Sequence, residues 1–219
     1  MKQFAIYFIP SDINFYKVGS ELIGYDILNE SKETTSKDQL IASVQKVNSK
    51  SNQYGLHLTL TDVVEISDKK IGQAMMRSKL IFALPIFRNI KIEKDKIDFM
   101  PNANVLAIQY KHNFRLFLLH FLLVLFVQTL GKNSDYSDNI NMMNFWRRFK
   151  TRVFLSPYIF DDFIPHMTIV SSSSDPDKKL KKYLNKVFEK FQSARIDRLA
   201  LVIKDKNEGY FKVKDFISR

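Results

Sequence analysis

Two segments far apart in the chain share one pattern, and that pattern limits what the chain can fold into. The first is Tyr54-Gly55-Leu56-His57-Leu58-Thr59-Leu60-Thr61, and the second is Phe163-Ile164-Pro165-His166-Met167-Thr168-Ile169-Val170. Each holds His, apolar, Thr, apolar. Side chains alternate faces along a β-strand, so residues two apart share a face. His57 and Thr59 then point one way, with Leu58 and Leu60 in a core. His166 and Thr168 repeat this, with Met167 and Ile169 buried. Strands brought face to face would gather two imidazoles and two hydroxyls in one space. The chain has four His in all, so the repeat is uncommon by chance, although two unrelated strands with hydrogen-bonded His would look the same.

Composition narrows the chemistry. At 219 residues, 45% apolar and 26% charged, the chain reads as one globular domain. There is no Cys, which excludes disulfides, thiolate catalysis and thiolate metal sites. A net charge of +11 favours anionic, phosphate-bearing ligands. The Lys and Arg are spread rather than gathered in a basic arm. Phe4–Ile9 is too short for a signal sequence, and Leu116–Val127, broken by His120, is too short to span a bilayer. A soluble cytoplasmic protein with no membrane partner is expected.

Periodicity predicts strands at Phe4–Ile9, Leu56–Ile66, Phe87–Glu93, Lys96–Phe99, Ala103–Lys111 and Ile164–Ser171. A closing hairpin of Ala194–Lys204 and Gly209–Phe216 turns at Lys206-Asn207-Glu208-Gly209. The first strand, apolar on both faces, should be central. Helices are expected at Asn14–Ile23, from a Ser36-x-x-Gln39 capping box to Asn48, at Lys69–Leu84, 113–130, Asn144–Arg152 and Asp177–Phe191. The helix carrying Trp146, Arg147, Arg148, Lys150 and Arg152 reads as a solvated face rather than a phosphate site. His120 reads as a satisfied core histidine, and His112 as exposed. Tyr7 could line a cleft or lie in the core.

Two imidazoles facing one phosphorus can divide acid–base work, one taking a proton from water and one giving a proton to the departing oxygen. Thr hydroxyls can hold the non-bridging oxygens. No cofactor or metal is expected, since neither motif contains a carboxylate and the two His lie on separate strands. Asp62, Asp161 and Asp162 flank the motifs; each could orient a His, but they read first as surface residues. With six Gly and no glycine-rich phosphate loop, Walker and Rossmann nucleotide sites are excluded.

These residues resemble the two-histidine (2H) phosphoesterase superfamily, whose hallmark is a pair of His-x-Ser/Thr motifs. Further segments are similar to its phosphonate-metabolism-associated branch: Phe4–Pro10, Val18–Asp26, Gln53–Leu60, Ser156–Phe163, His166–Ile169 and Arg198–Leu201. The resemblance implies one bilobal α+β domain over residues 1–219, with two antiparallel sheets facing a central cleft and helices outside. It implies metal-independent hydrolysis of a ribose-type cyclic phosphate or short oligonucleotide (2′,3′-cyclic, 1,2-cyclic or 2′-5′ linked). His57 and His166 would be the catalytic pair, Thr59 and Thr168 would bind phosphate, and Tyr54 and Tyr158, with Tyr7, would line the cleft. Partners would be a small phosphorylated ribose, nucleotide or short RNA, with no obligate protein partner and a monomeric chain. The chain departs from that branch at Gln53 and Thr61, where a basic residue is usual. Besides hydrolysis, the same residues fit a module that holds a nucleotide or RNA end without cleaving it, or an interaction protein in which the motifs are accidental.

Overall fold

The computed structural model describes residues 1–32, 36, 38–48, 52–134, 136–171, 175–205 and 208–218, with side chains for all of these but 137–139. The expected turn residues 49–51 and 206–207 and loop residues 33–35 and 172–174 lie outside them.

From the N-terminus, β1 (Lys2–Phe8) leads to α1 (Ile13–Ile23), a small ribbon of β2 (Tyr25–Asp26) and β3 (Ser31–Lys32), and α2 (Gln39–Val47). Next come β4 (Leu58–Thr59), β5 (Val64–Ile66), α3 (Asp68–Ala83), β6 (Ile90–Met100), β7 (Val105–Tyr110) and α4 (Phe114–Phe126). The chain closes with α5 (Phe145–Phe154), β8 (His166–Ser171), α6 (Lys178–Val187), β9 (Ser193–Ile196), β10 (Arg198–Lys204) and β11 (Lys212–Ser218). Residues Phe4–Phe8 of β1 are buried on both faces, and the strand lies inside the sheet between β10 and the β4–β5 segment.

The strands run in the order β11-β10-β1-β4-β8-β7-β6-β9, with β5 also on β1, and these pairings are antiparallel. The two expected sheets are thus two halves of one sheet, joined where β4 meets β8. The joint is a single facing pair, Leu58 and Met167. One residue reveals the curl. Ile196 pairs with Ile90 at the β9 edge, while Arg198 pairs with Ser218 near the opposite edge. Only Asp197 lies between them, and two Cα steps reach about 7 Å. The sheet must therefore bend until its far edges nearly meet.

Several elements differ from expectation, each for a physical reason. The expected strand Ala194–Lys204 is broken at Asp197, its first residues serving β6. The expected pair Phe87–Glu93 and Lys96–Phe99 is one strand with a register shift between Lys94 and Lys96. It pairs with β9 before the shift and mainly with β7 after it. The expected strand Leu56–Ile66 divides into β4 and β5, because two residues more than an even ladder allows lie between Thr59 and Val64. There Leu60 and Thr61 both donate to the Ile6 carbonyl, and the Thr61 hydroxyl accepts the Ile6 N–H at 2.7 Å. The cap of α2 is Asp38, whose carboxylate accepts from Leu40 and Ile41, rather than Ser36. A charged oxygen adjoining the first turn has the advantage over a more distant hydroxyl.

Helices α1 and α2 pack on β8, α3 on β11 and α4, and α6 on β6. Among the described residues, no helix is long and apolar enough to cross a membrane.

Candidate active site

The Leu58–Met167 pair sets the geometry. Both side chains are fully buried. Extending the ladder one residue each way puts His57 opposite Thr168, and Thr59 opposite His166. All four face away from the core side, and all four are half-buried. Facing positions in such a ladder lie about 4.5–5.5 Å apart, and diagonal ones about 7–8 Å. The motifs therefore mark the corners of a rectangle, imidazoles on one diagonal and hydroxyls on the other.

Each ring is held the same way. His57 Nδ1 lies 2.9 Å from the Gly55 carbonyl, and His166 Nδ1 lies 2.8 Å from the Ile164 carbonyl. A carbonyl can only accept, so Nδ1 carries the hydrogen and Nε2 offers a lone pair. The first of these carbonyls depends on glycine. Gly55 has φ +62, and a Cβ there would stand 2.8 Å from the Ile27 Cβ.

The surroundings of the two rings differ. Tyr7, paired with Thr59 across β1 and β4, stacks on His57 with centroids 3.8 Å apart and planes 20° apart. Tyr54 tilts against the same ring at 6.3 Å. Burial is the main force lowering the His57 pKa to about 4; the charge of a protonated His166 adds to it, and the Gly55 and Tyr54 backbone groups oppose it. Burial also lowers His166, against the Ile164 carbonyl. His166 faces Gln109 of β7 on its other side. Both rings keep some open surface yet are enclosed by protein, as at the floor of a well.

His57, Thr59 and Thr168 line a cavity of about 250 Å³, together with Tyr7 and Tyr54. His166 and Tyr158 are not among its walls. His166 adjoins it through the ladder, and Tyr158 packs edge-on against Tyr136, which is a wall. Asn48, Tyr136 and Ser171 also line it and were not foreseen as site residues, and Asp62, which could have oriented a His, lines it too. Asp62 is half-buried rather than a simple surface residue. None of the described wall residues is Lys or Arg.

Asn48 explains how Thr168 is held. β4 pairs with β8 at one position only, which leaves Ile169 and Ser171 without a strand partner on that side. The buried Asn48 side chain donates to the Ile169 carbonyl at 2.6 Å and accepts the Ser171 N–H at 2.8 Å. One amide thus replaces a strand. An Asn near the end of a helical pattern was the only sequence signal, and its two partners on β8 lie more than a hundred residues away.

Other singled-out residues have structural partners. Thr61 serves the Ile6 backbone, and the Gln53 amide accepts from Lys204 Nζ at 2.6 Å. Asp161 and Asp162 both bind Lys150, at 2.6 and 2.7 Å, and Asp162 also meets Arg147 at 3.1 Å. His120 is buried, stacks on Phe163 at 3.8 Å and holds the Leu60 carbonyl through Nδ1 at 2.9 Å. Its Nε2 is buried without a hydrogen-bond partner, and burial lowers its pKa to about 4. His112 is exposed. Among the described residues, no three His, Cys, Asp or Glu side chains gather where they could hold a metal ion.

Comparison with solved structures places the fold. The chain is similar to a crystal structure of a phosphoesterase at TM-score 0.51 and 12% identity, covering 100% of this chain and 98% of that one. It is also similar to E. coli LigT without ligand, at TM-score 0.49 and 11% identity over 99% and 96% of the two chains. LigT complexed with 3′-AMP gives 0.47 and 12% over 99% and 97%. No protein-family model and no curated protein sequence matches the chain. The fold is the α+β arrangement that the sequence resemblance implied, shared with the first of these structures from end to end.

Proposed function

We propose that the chain is a 2H-type phosphoesterase that hydrolyses a cyclic or 2′-5′ phosphodiester of a ribose, nucleotide or short RNA. The observation that carries this reading is the Leu58–Met167 register, which supports two imidazoles, each with Nε2 free to take or give a proton, and two hydroxyls meeting in one space. Thr59 and Thr168 donate to the non-bridging oxygens and hold the charge that grows on them. His57 Nε2 takes a proton from water as the oxygen attacks phosphorus. The P–O bond on the far side breaks, and His166 gives its Nε2 proton to the departing oxygen. One water is consumed and a monoester is released.

His166 is assigned the acid role because His57 sits beneath Tyr7 and resists protonation while His166 is charged. One proton on the pair therefore resides on His166, whose strand neighbour on β7 is Gln109. An arriving phosphate anion favours that charge further.

The test is a panel of 2′,3′-cyclic phosphates, 1,2-cyclic phosphates and 2′-5′ dinucleotides, read for products with and without EDTA. Turnover unaffected by EDTA, with a bell-shaped kcat/KM profile peaking below pH 6.5, is expected, since both histidines are lowered from that value. Loss of activity on chelation, or tight product binding without turnover across the panel, would overturn the reading. The second outcome assigns a binding module instead.

A further inference from the structure

Helix α5 is inside out. Its buried residues are Lys150 and Thr151. Its exposed ones include Phe145, Trp146, Phe149 and Val153, between 46% and 73% exposed, with Met142 just before the helix at 89%. Spacings of four place Phe145, Phe149 and Val153 in one row, with Trp146 beside it. The inward cations are matched: Asp161 and Asp162 take Lys150, and Asp162 also takes Arg147. Arg148 and Arg152 are not. Arg148 is half-buried, its Nε buried without a partner and its guanidinium held by the neutral carbonyls of Asn141 and Met143, and Arg152 is exposed with no ion pair among the described residues. The result is an aromatic ridge turned to solvent, flanked by two uncompensated positive charges.

We propose that this ridge docks on an anionic lipid surface, with the aromatic side chains entering the headgroup boundary, the exposed Arg152 meeting lipid phosphates and Arg148 adding positive charge behind it. This is lying on a membrane, which a helix too short to span one can do, and it departs from the expectation of no membrane partner. Three observations select the occupant. The charge left on the helix is positive, so an acidic surface complements it. A second copy of the chain does not, because a two-fold contact would set Arg148 and Arg152 against their own copies. Four side chains on a helix about 15 Å long also fall far short of the roughly 20–30 residues a side that a stable dimer needs. Single-stranded RNA is held by stacking successive bases on open aromatic faces. Here Phe145 and Trp146 meet at 75°, and Trp146 and Phe149 at 88°, so the rings form an edge-on cluster instead.

Trp146 is the chain's only tryptophan, so its fluorescence reports this helix alone. The full chain is mixed with vesicles of phosphatidylcholine alone and of phosphatidylcholine with phosphatidylglycerol, then read for Trp emission and co-sedimentation. The expected result is a blue shift and sedimentation with the anionic vesicles only. Arg148→Gln with Arg152→Gln should weaken binding about 25-fold, near fivefold per charge. Phe149→Ser should abolish the shift. Leu80→Ser, at an equally exposed aliphatic on α3, should change neither, and far-UV circular dichroism checks that each variant folds. No response to either vesicle, or an equal response to both, would overturn the proposal. So would a shift that follows protein concentration without lipid, or one produced by an oligonucleotide instead.

Discussion

The two His-x-Thr segments carry the same four-residue pattern on different supports. The second lies on a six-residue strand, β8, paired along much of its length with β7. The first lies at a two-residue strand followed by a bulge, and its histidine precedes that strand. Compensation comes from outside it. Gly55 turns a carbonyl toward the ring, Tyr7 covers it, and Thr61 completes the backbone bonding that the bulge interrupts. The better-supported histidine sits on a strand flanked by β7 and β4, and the less-supported one is pressed beneath an aromatic ring. Equal motifs thus acquire unequal electrostatics, which is what an acid and a base require.

The strongest way to break this comparison is to remove each histidine in turn. His57→Gln and His166→Gln should each lower kcat about 10²- to 10⁴-fold on a ribose cyclic phosphate. A diester with a nitrophenol leaving group needs no acid, so His166→Gln should keep most of its activity on it while His57→Gln does not. The opposite pattern would exchange the assigned roles. Next in size, Thr59→Val and Thr168→Val should each cost about 10²-fold in kcat, as loss of an oxyanion donor does. A mere rise in KM would assign the hydroxyls to ground-state binding.

A stability measurement separates the site from its supports. His120 has a folded pKa of about 4 against an ordinary 6.5. The unfolded chain therefore takes up a proton that the folded chain refuses as pH falls. The stability linked to His120 is present above pH 6.5, declines below it and is gone near pH 4, about 3 kcal/mol in all. His120→Phe should flatten the urea-unfolding midpoint across that window, and an unchanged slope would show that the ring is not protonated only on unfolding. The smallest effect concerns the pair itself. In His166→Gln the His57 pKa should rise from about 4 toward its ordinary value, because a like charge has gone, and imidazole proton NMR reads it directly.

Much of the fold was legible because periodicity is local. Strand β1 read as central from its apolar run, and the alternation around His57 and His166 named which side chains are buried and which are not. The strand boundaries that failed share one cause. Nothing local in Ala194–Lys204 tells that Asp197 hands the chain from one sheet edge toward the other. Nothing in Leu56–Ile66 tells that β1 forces a bulge. Such breaks are decided by the partner strand.

The chain's own residues therefore determined which histidines and threonines share a face, that thiolate chemistry is absent and that an α+β fold would hold the motifs. Only the tertiary structure decided that Leu58 meets Met167, that Asn48 stands in for a missing strand, that Tyr7 covers one imidazole alone and that α5 turns its aromatics outward. Spacing along a strand is a covalent matter, fixed by backbone alternation. Pairing between strands, and the burial that follows from it, depends on contacts separated by up to a hundred residues and more, which no window of sequence contains.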